Sequence, residues 1–234
     1  MTPWCESPAW HPLSVPADHA DLAEREDVVE DVVALCGRDV GILRPRDSEA
    51  LIDEHAFEQD EFLPYWADLW PSALALARQV CARSLRGART LELGCGLGLA
   101  SIAAALAGGR VVATDWAPAT LQFAAANARR NGAGVAVERC DWAHPDGIVA
   151  RAPWQLVLGS DLLYEPRNVG LLVDLLPRLV DERGEVWIAD PGRRPADAFL
   201  EAMRDGWHRE STRDPELPRV SVHRFRKAVS APPR

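Results

Sequence analysis

The sequence predicts an α/β domain: a seven-stranded, mostly parallel sheet with helices on both faces, a C-terminal antiparallel hairpin and an N-terminal helical extension. Three observations predict it. From Arg89 onward, short apolar runs alternate with helical segments, the pattern of parallel strands joined by crossover helices. The first run leads directly into Gly94-Cys95-Gly96-Leu97-Gly98, which reads as strand, tight glycine loop and helix. The last two runs have no helix between them and so pair antiparallel.

Residues up to about Pro16 are rich in Pro and Trp and read as irregular. Over 18–35, apolar Leu22, Val28, Val29, Val32, Val33 and Leu35 stand among acids, predicting an amphipathic helix that Gly37 ends. Residues 40–43 suit a short strand, and 48–57 fit either helix or strand. Pro71 suits a first helical turn, and 73–85 keep helical spacing up to Gly87. The parallel strands are expected at 90–93, 110–114, 135–138, 156–160 and 186–189. The helices between and after them are expected at 99–107, 117–131, 167–180 and 196–205, with Asn131-Gly132 as a helix stop. Residues 210–212 and 220–226 alternate as a terminal hairpin. The chain thus divides into an extension over 1–70, a core over 71–228 and a flexible tail over 229–234.

The net charge of −9 repels phosphates and argues against a nucleic-acid partner. The five cysteines are odd in number and contain no C-x-x-C pair, so neither a disulfide framework nor a zinc site is expected. Reduced thiols in a cytoplasmic protein are the reading, with no metal. The N-terminus lacks a basic region followed by an apolar stretch, and no apolar run reaches membrane-spanning length.

In such a sheet, ligands bind beyond the carboxyl ends of the strands, where strand order reverses. The residues at those ends are Glu92 with Gly94, Gly96 and Gly98; Asp115 and Trp116; Asp141 and Trp142; Ser160, Asp161 and Tyr164; and Asp190. Each end carries a carboxylate. Asp115, about twenty residues beyond the loop, suits the two hydroxyls of a ribose. A dinucleotide loop, G-x-G-x-x-G, would need glycine at 99, where this chain has Leu99. Glu92, just ahead of the loop, would repel a pyrophosphate and favour a cationic cofactor. S-adenosylmethionine has an ammonium, a sulfonium, a ribose and an adenine. Glu92 then faces its amino-acid end, Asp115 its ribose and Asp141 the adenine amino group. Trp116 and Trp142 would edge the adenine. Cys95 and Ser160 border the same pocket, Cys95 as a small packing residue.

At these residues the chain resembles the class I methyltransferases, in particular the protein-lysine methyltransferase-like group (methyltransferase family 16). Pro64-Tyr65-Trp66-Ala67-Asp68-Leu69-Trp70-Pro71 is similar to that family's segment ahead of the core, whose Leu-Trp-Pro covers the cofactor. Glu92 to Gly98 resembles its glycine motif. Ser160-Asp161-Leu162-Leu163-Tyr164-Glu165 resembles its D-x-x-Y motif, which borders the transfer site, and Cys140-Asp141-Trp142 its segment after the third strand. The resemblance runs from about Asp39 to Lys227 and implies a Rossmann-like fold. It also implies S-adenosylmethionine as cofactor, S-adenosylhomocysteine as product, and Trp66 and Trp70 over the cofactor. Asp190-Pro191-Gly192-Arg193 matches no motif.

Methyl transfer from a sulfonium asks the protein to align nucleophile, methyl and sulfur and to exclude water. Asp161 and Tyr164 are the candidates to orient an acceptor nitrogen, most simply a protein lysine. A small-molecule amine is the alternative acceptor. Readings of another class are an NAD(P)-dependent oxidoreductase and a non-catalytic S-adenosylmethionine-binding protein. The competing structural roles are a helix cap for Asp115 and for Asp161, plain packing for Tyr164, and core anchoring for Trp66 and Trp70.

Overall fold

The computed structural model describes residues 22–48 and 65–228. Seven strands form one sheet: β3 (Arg89–Leu93), β4 (Arg110–Asp115), β5 (Val135–Arg139), β6 (Leu156–Ser160), β7 (Glu185–Asp190), β8 (Trp207–Arg213) and β9 (Ser221–Lys227). Their order is β5-β4-β3-β6-β7-β9-β8. The first five are parallel neighbours, and β9 runs antiparallel between β7 and β8. A separate antiparallel pair, β1 (Val28–Leu35) and β2 (Arg38–Pro45), precedes them. The helices among the described residues are α1 (Pro71–Cys81), α2 (Leu99–Leu106), α3 (Pro118–Arg130), α4 (Asp146–Val149), α5 (Pro166–Leu179) and α6 (Arg194–Ala202). Strand order reverses between β3 and β6, so the glycine loop after β3 and the Asp161 turn after β6 flank the switch point.

Alternation along the strands sends side chains into two apolar layers. Leu91, Leu93, Val157, Val186 and Ile188 pack under α4, α5 and α6. Leu156, Leu158, Trp187 and Ala189 pack under α1, α2, α3 and the hairpin. Glu92 lies between Leu91 and Leu93, so its carboxyl is carried into the second layer, against α2. The expected core strands and helices all form, with ends moved by a few residues; α4 is an added short helix.

The N-terminal extension differs from expectation. Residues 18–21 of the expected helix lie outside the described residues, Leu22–Glu24 form one 3-10 turn, and Val28–Leu35 is a strand. The spacing of Val28, Val29, Val32 and Val33 fits a helix, but four β-branched residues in six favour a strand. Cys36 and Gly37 both have positive φ (52° and 75°), the signature of a two-residue hairpin turn, so Gly37 turns a hairpin rather than ending a helix. The expected strand at 40–43 lies within β2. The ambiguous segment 48–57, apart from Ser48, and the start of the Pro64–Pro71 motif are outside the described residues.

Two asparagines one helical turn apart hold the hairpin on α3. Leu43 N–H donates to Asn127 Oδ1 (2.7 Å), and Asn127 Nδ2 donates to the carbonyls of Leu43 and Leu97 (both 3.0 Å). Gly41 N–H donates to Asn131 Oδ1 (3.1 Å), and Asn131 Nδ2 returns a bond to the Gly41 carbonyl (2.8 Å). The side-chain amides thus satisfy the edge of β2 as a neighbouring strand would. The same Asn127 reaches the glycine loop at Leu97.

Cys36, in the hairpin turn, is disulfide-bonded to Cys81 at the end of α1, 45 residues along the chain. This corrects the expectation of reduced thiols. The pairing comes from packing of the hairpin on α1, which no local cysteine spacing announces. Cys95 and Cys140 are free and buried. Among the described residues no helix is long and apolar enough to cross a membrane, and no group of His, Cys, Asp or Glu has the arrangement of a metal site.

Candidate active site

The glycine loop has φ of 59° at Gly94, 51° at Gly96 and 83° at Gly98, a conformation that side chains resist. Space adds a second reason at two of the three. A Cβ on Gly94 would lie 2.6 Å from Leu162 Cδ2 and 3.5 Å from Trp142 Cζ2. A Cβ on Gly98 would lie 3.2 Å from that of Ala124 in α3. The loop therefore lies against Trp142 and the D-x-x-Y turn. Trp66 flanks it from the N-terminal side, with its carbonyl oxygen 3.6 Å from a Cβ placed on Gly96 and its ring on Phe123, centroids 5.6 Å apart.

Asp115 closes the loop from β4. Its Oδ2 accepts the N–H of Gly96 (3.0 Å), and its Oδ1 accepts the N–H of Ala117 (3.2 Å). Burial raises its pKa against backbone hydrogen bonds from Gly96, Ala117 and Trp116. A carboxylate offers about four acceptor positions, so capacity remains for a ribose hydroxyl. The helix-capping role and the ribose role are compatible in one side chain.

Glu92 is placed elsewhere than expected. It is 1% exposed, and its carboxyl is hydrogen-bonded by the Ser101 hydroxyl of α2. Burial pushes its pKa to about 8, with the Ser101 bond opposing. At neutral pH it is largely protonated and braces β3 on α2, inside the protein. Cys95 is also buried, and burial holds its thiol well above the ordinary range.

The third strand end is more open. Asp141 accepts the N–H of Ala143 (2.8 Å) and pairs with His144 Nδ1 (3.0 Å). The His144 hydrogen bond lowers the Asp141 pKa. Trp142 is half-buried beside Gly94. Trp116 has the Arg139 guanidinium 4.5 Å from its ring centroid, which commits one face of the indole.

Ser160 is half-buried at the end of β6. Asp161 follows with a φ of 55°, and its N–H is bonded to the Ala189 carbonyl (2.9 Å). Its Oδ1 accepts two hydrogen bonds from Arg193, through Nε (2.9 Å) and Nη2 (2.7 Å). Its Oδ2 is buried and has no hydrogen-bond partner. Tyr164 stacks obliquely on Tyr65, with ring centroids 5.4 Å apart, and burial raises its hydroxyl pKa. Tyr65 in turn accepts the Trp70 indole N–H at its carbonyl (2.5 Å). Trp70 also meets the Arg193 guanidinium, 5.6 Å from its ring centroid. The structure thus brings Trp70, Tyr65, Tyr164 and Asp161 into one cluster.

Sequence reasoning missed two members of this cluster, Arg193 and Tyr65, and the role of Asp190. Asp190 Oδ1 accepts the N–H groups of Gly192 (2.7 Å) and Arg193 (2.8 Å), fixing the turn that presents Arg193. Asp-Pro-Gly is a turn signal, but nothing in it says where the next side chain points.

Comparison with known proteins identifies the family. The chain is 35% identical over 136 residues to the electron transfer flavoprotein beta subunit lysine methyltransferase of Xenopus laevis, covering 56% of this chain and 53% of that protein. It is 30% identical over 174 residues to EEF1A lysine methyltransferase 3 of Mus musculus, covering 71% and 74%. It is 32% identical over 161 residues to histone-arginine methyltransferase METTL23 of Xenopus laevis, covering 64% and 68%. The match spans about half the length of the first of these. Among solved structures, magnesium protoporphyrin IX methyltransferase (ChlM) of Synechocystis superposes with a TM-score of 0.55 at 15% identity, over 78% of this chain and 98% of that one. Ribosomal protein L11 methylase of Lactobacillus delbrueckii gives 0.53 at 20%, over 67% and 79%; both likenesses show the fold. The family model described as lysine methyltransferase matches residues 56–205, and the chain belongs to that family of S-adenosylmethionine-dependent methyltransferases.

Proposed function

We propose that this chain methylates the side-chain nitrogen of a lysine in a protein substrate. The observation that carries the reading is Asp161 Oδ2, a buried carboxylate oxygen without a partner, at the switch point of the sheet beside the glycine loop. Two relatives bear the names of lysine methyltransferases acting on proteins, which supports the same acceptor class.

The residues present fit the cofactor. The glycine turn packs its backbone closely against Leu162, Trp142 and Ala124, where side chains would not fit, and Asp115 keeps acceptor capacity for a ribose hydroxyl. In this reading Gly94, Gly96, Gly98, Asp115, Trp142 and Trp66 hold S-adenosylmethionine, with Asp141, Trp116, Ser160 and Cys95 at its border. When bound, that molecule supplies an electrophilic methyl group on a sulfonium. Tyr65 and Tyr164, 43% and 37% exposed, form with Trp70 an aromatic rim beside Asp161 along which the amine's alkyl chain would lie. A lysine arrives as an ammonium, with a free pKa of about 10.4; the Asp161 carboxylate favours that form on binding, burial opposes it, and the amine gives up one proton before it attacks. Asp161 Oδ2 accepts one N–H of the amine and sets the direction of its lone pair. Asp161 is a positioning group in this account.

The test is a pair of variants, Asp161→Ala and Tyr164→Phe. Each is expected to lower the transfer rate while S-adenosylhomocysteine binds as in the wild type. Full rates in both would remove the roles assigned here. The Cys36–Cys81 disulfide speaks against the cytoplasmic setting expected from the sequence, because a reducing compartment keeps thiols free.

A further inference from the structure

We propose that Arg193 is a specificity-determining residue that makes the acceptor site accept an ammonium and refuse a guanidinium; this rests on the acceptor reading of Asp161 given above. The geometry is unusual for an Arg–Asp pair. A guanidinium and a carboxylate often pair through two parallel hydrogen bonds, one to each oxygen. Here both Arg193 donors, Nε and Nη2, converge on Oδ1 of Asp161 at 2.9 and 2.7 Å. Oδ2 of the same carboxylate is left buried and without a partner, in a side chain only 8% exposed.

Two contacts hold this arrangement. The Arg193 guanidinium lies 5.6 Å from the Trp70 ring centroid, and its backbone N–H is fixed by Asp190 Oδ1 at 2.8 Å. Asp190 is 1% exposed, and its own Oδ2 is also buried without a partner. The cluster therefore contains two buried carboxylates and one guanidinium, with two unpartnered oxygens. Leaving a buried acceptor unsatisfied is costly, so such oxygens are expected to meet a donor in the working complex.

The consequence for the acceptor is geometric. An arginine substrate binds a carboxylate best through both oxygens at once. Oδ1 is committed to Arg193, so Asp161 offers an incoming side chain one oxygen. That suits a lysine amine, whose N–H groups bond singly and without planar constraint. Removing Arg193 frees Oδ1 and opens the two-oxygen face.

The experiment uses the full chain with S-adenosylhomocysteine bound, and two small probes, n-butylammonium and n-propylguanidinium. Their dissociation constants are measured by NMR titration for the wild type, Arg193→Gln and Arg193→Lys. The wild type is expected to prefer butylammonium. Arg193→Gln is expected to shift the ratio of the two constants by about tenfold or more toward propylguanidinium. Arg193→Lys, which keeps a cation beside Oδ1, is expected to retain most of the wild-type preference. A purely structural Arg193 would weaken both probes alike and leave the ratio unchanged, and that result overturns the proposal. So does a wild type that prefers propylguanidinium. If Arg193→Gln does not fold, the wild-type preference and its retention or loss in Arg193→Lys decide. Because the readout is binding, a wild type that transfers no methyl group would defeat the acceptor reading and still leave the Arg193 ratio to be judged separately.

Discussion

The backbone N–H of Gly96 donates to Oδ2 of Asp115 at 3.0 Å, so the middle glycine of the loop and the carboxylate ending β4 act as one unit. Asp115 thereby shapes the loop, and in the proposed function it also meets the ribose. Asp115→Ala is expected to weaken S-adenosylhomocysteine binding by about 1.5–3 kcal/mol, the range for losing hydrogen bonds to a charged group. Isothermal titration calorimetry measures this. Binding unchanged within error would show that Asp115 does not reach the cofactor.

Glu92 should make stability fall with rising pH. Burial raises its pKa from the ordinary 4.5 to about 8 in the folded protein. Between those values the folded state holds a proton that the unfolded state has released, so raising the pH favours unfolding. The stabilising proton is fully present below pH about 4.5 and lost through pH about 8. Thermal unfolding from pH 6 to 9 is expected to show a declining Tm, and Glu92→Gln a flatter decline. Parallel curves would contradict the assignment.

The Cys36–Cys81 bond closes a loop of 45 residues. Removing it is expected to cost about 2–4 kcal/mol, chiefly by freeing the unfolded chain. Peptide mapping without reductant should recover the two cysteines in one linked species, and Cys81→Ser should lower the denaturation midpoint. A pair of free thiols in the mapped protein would contradict the bond.

Asn127 carries hydrogen bonds to Leu43 and Leu97 that no other side chain replaces among the described residues. Asn127→Leu leaves the Leu43 N–H and two carbonyls without these partners, at about 1–3 kcal/mol for each buried group left unsatisfied. Hydrogen exchange at Leu43 is expected to accelerate more than exchange in β3. Uniform acceleration across the sheet would mean that the hairpin is not held locally.

The central sheet was legible because its strands are short apolar runs between helices, and Gly94, Gly96 and Gly98 follow the first of them. Gly94 and Trp142 do meet beside the turn after β6, whereas Glu92 turns inside against Ser101. What was hidden depends on long-range contact. Val28, Val29, Val32 and Val33 fit helical spacing as well as strand preference, and pairing with β2, itself held on Asn127 and Asn131, settles the strand. Cys36 and Cys81 are paired by that same packing. Glu92 was read from its place before the loop, but strand alternation sends its side chain to Ser101. Arg193 was illegible because its significance lies in which oxygen of Asp161 it bonds.

The most direct test of the methyl-transfer account is to incubate the full chain with methyl-labelled S-adenosylmethionine and a lysate, then separate protein from small molecules. The protein fraction is hydrolysed and its labelled amino acids are identified. The account expects label in methylated lysine, reduced at least tenfold in Asp161→Ala, as expected when a positioned hydrogen bond to the reacting group is lost. Label confined to small molecules, or to methylated arginine, would contradict it.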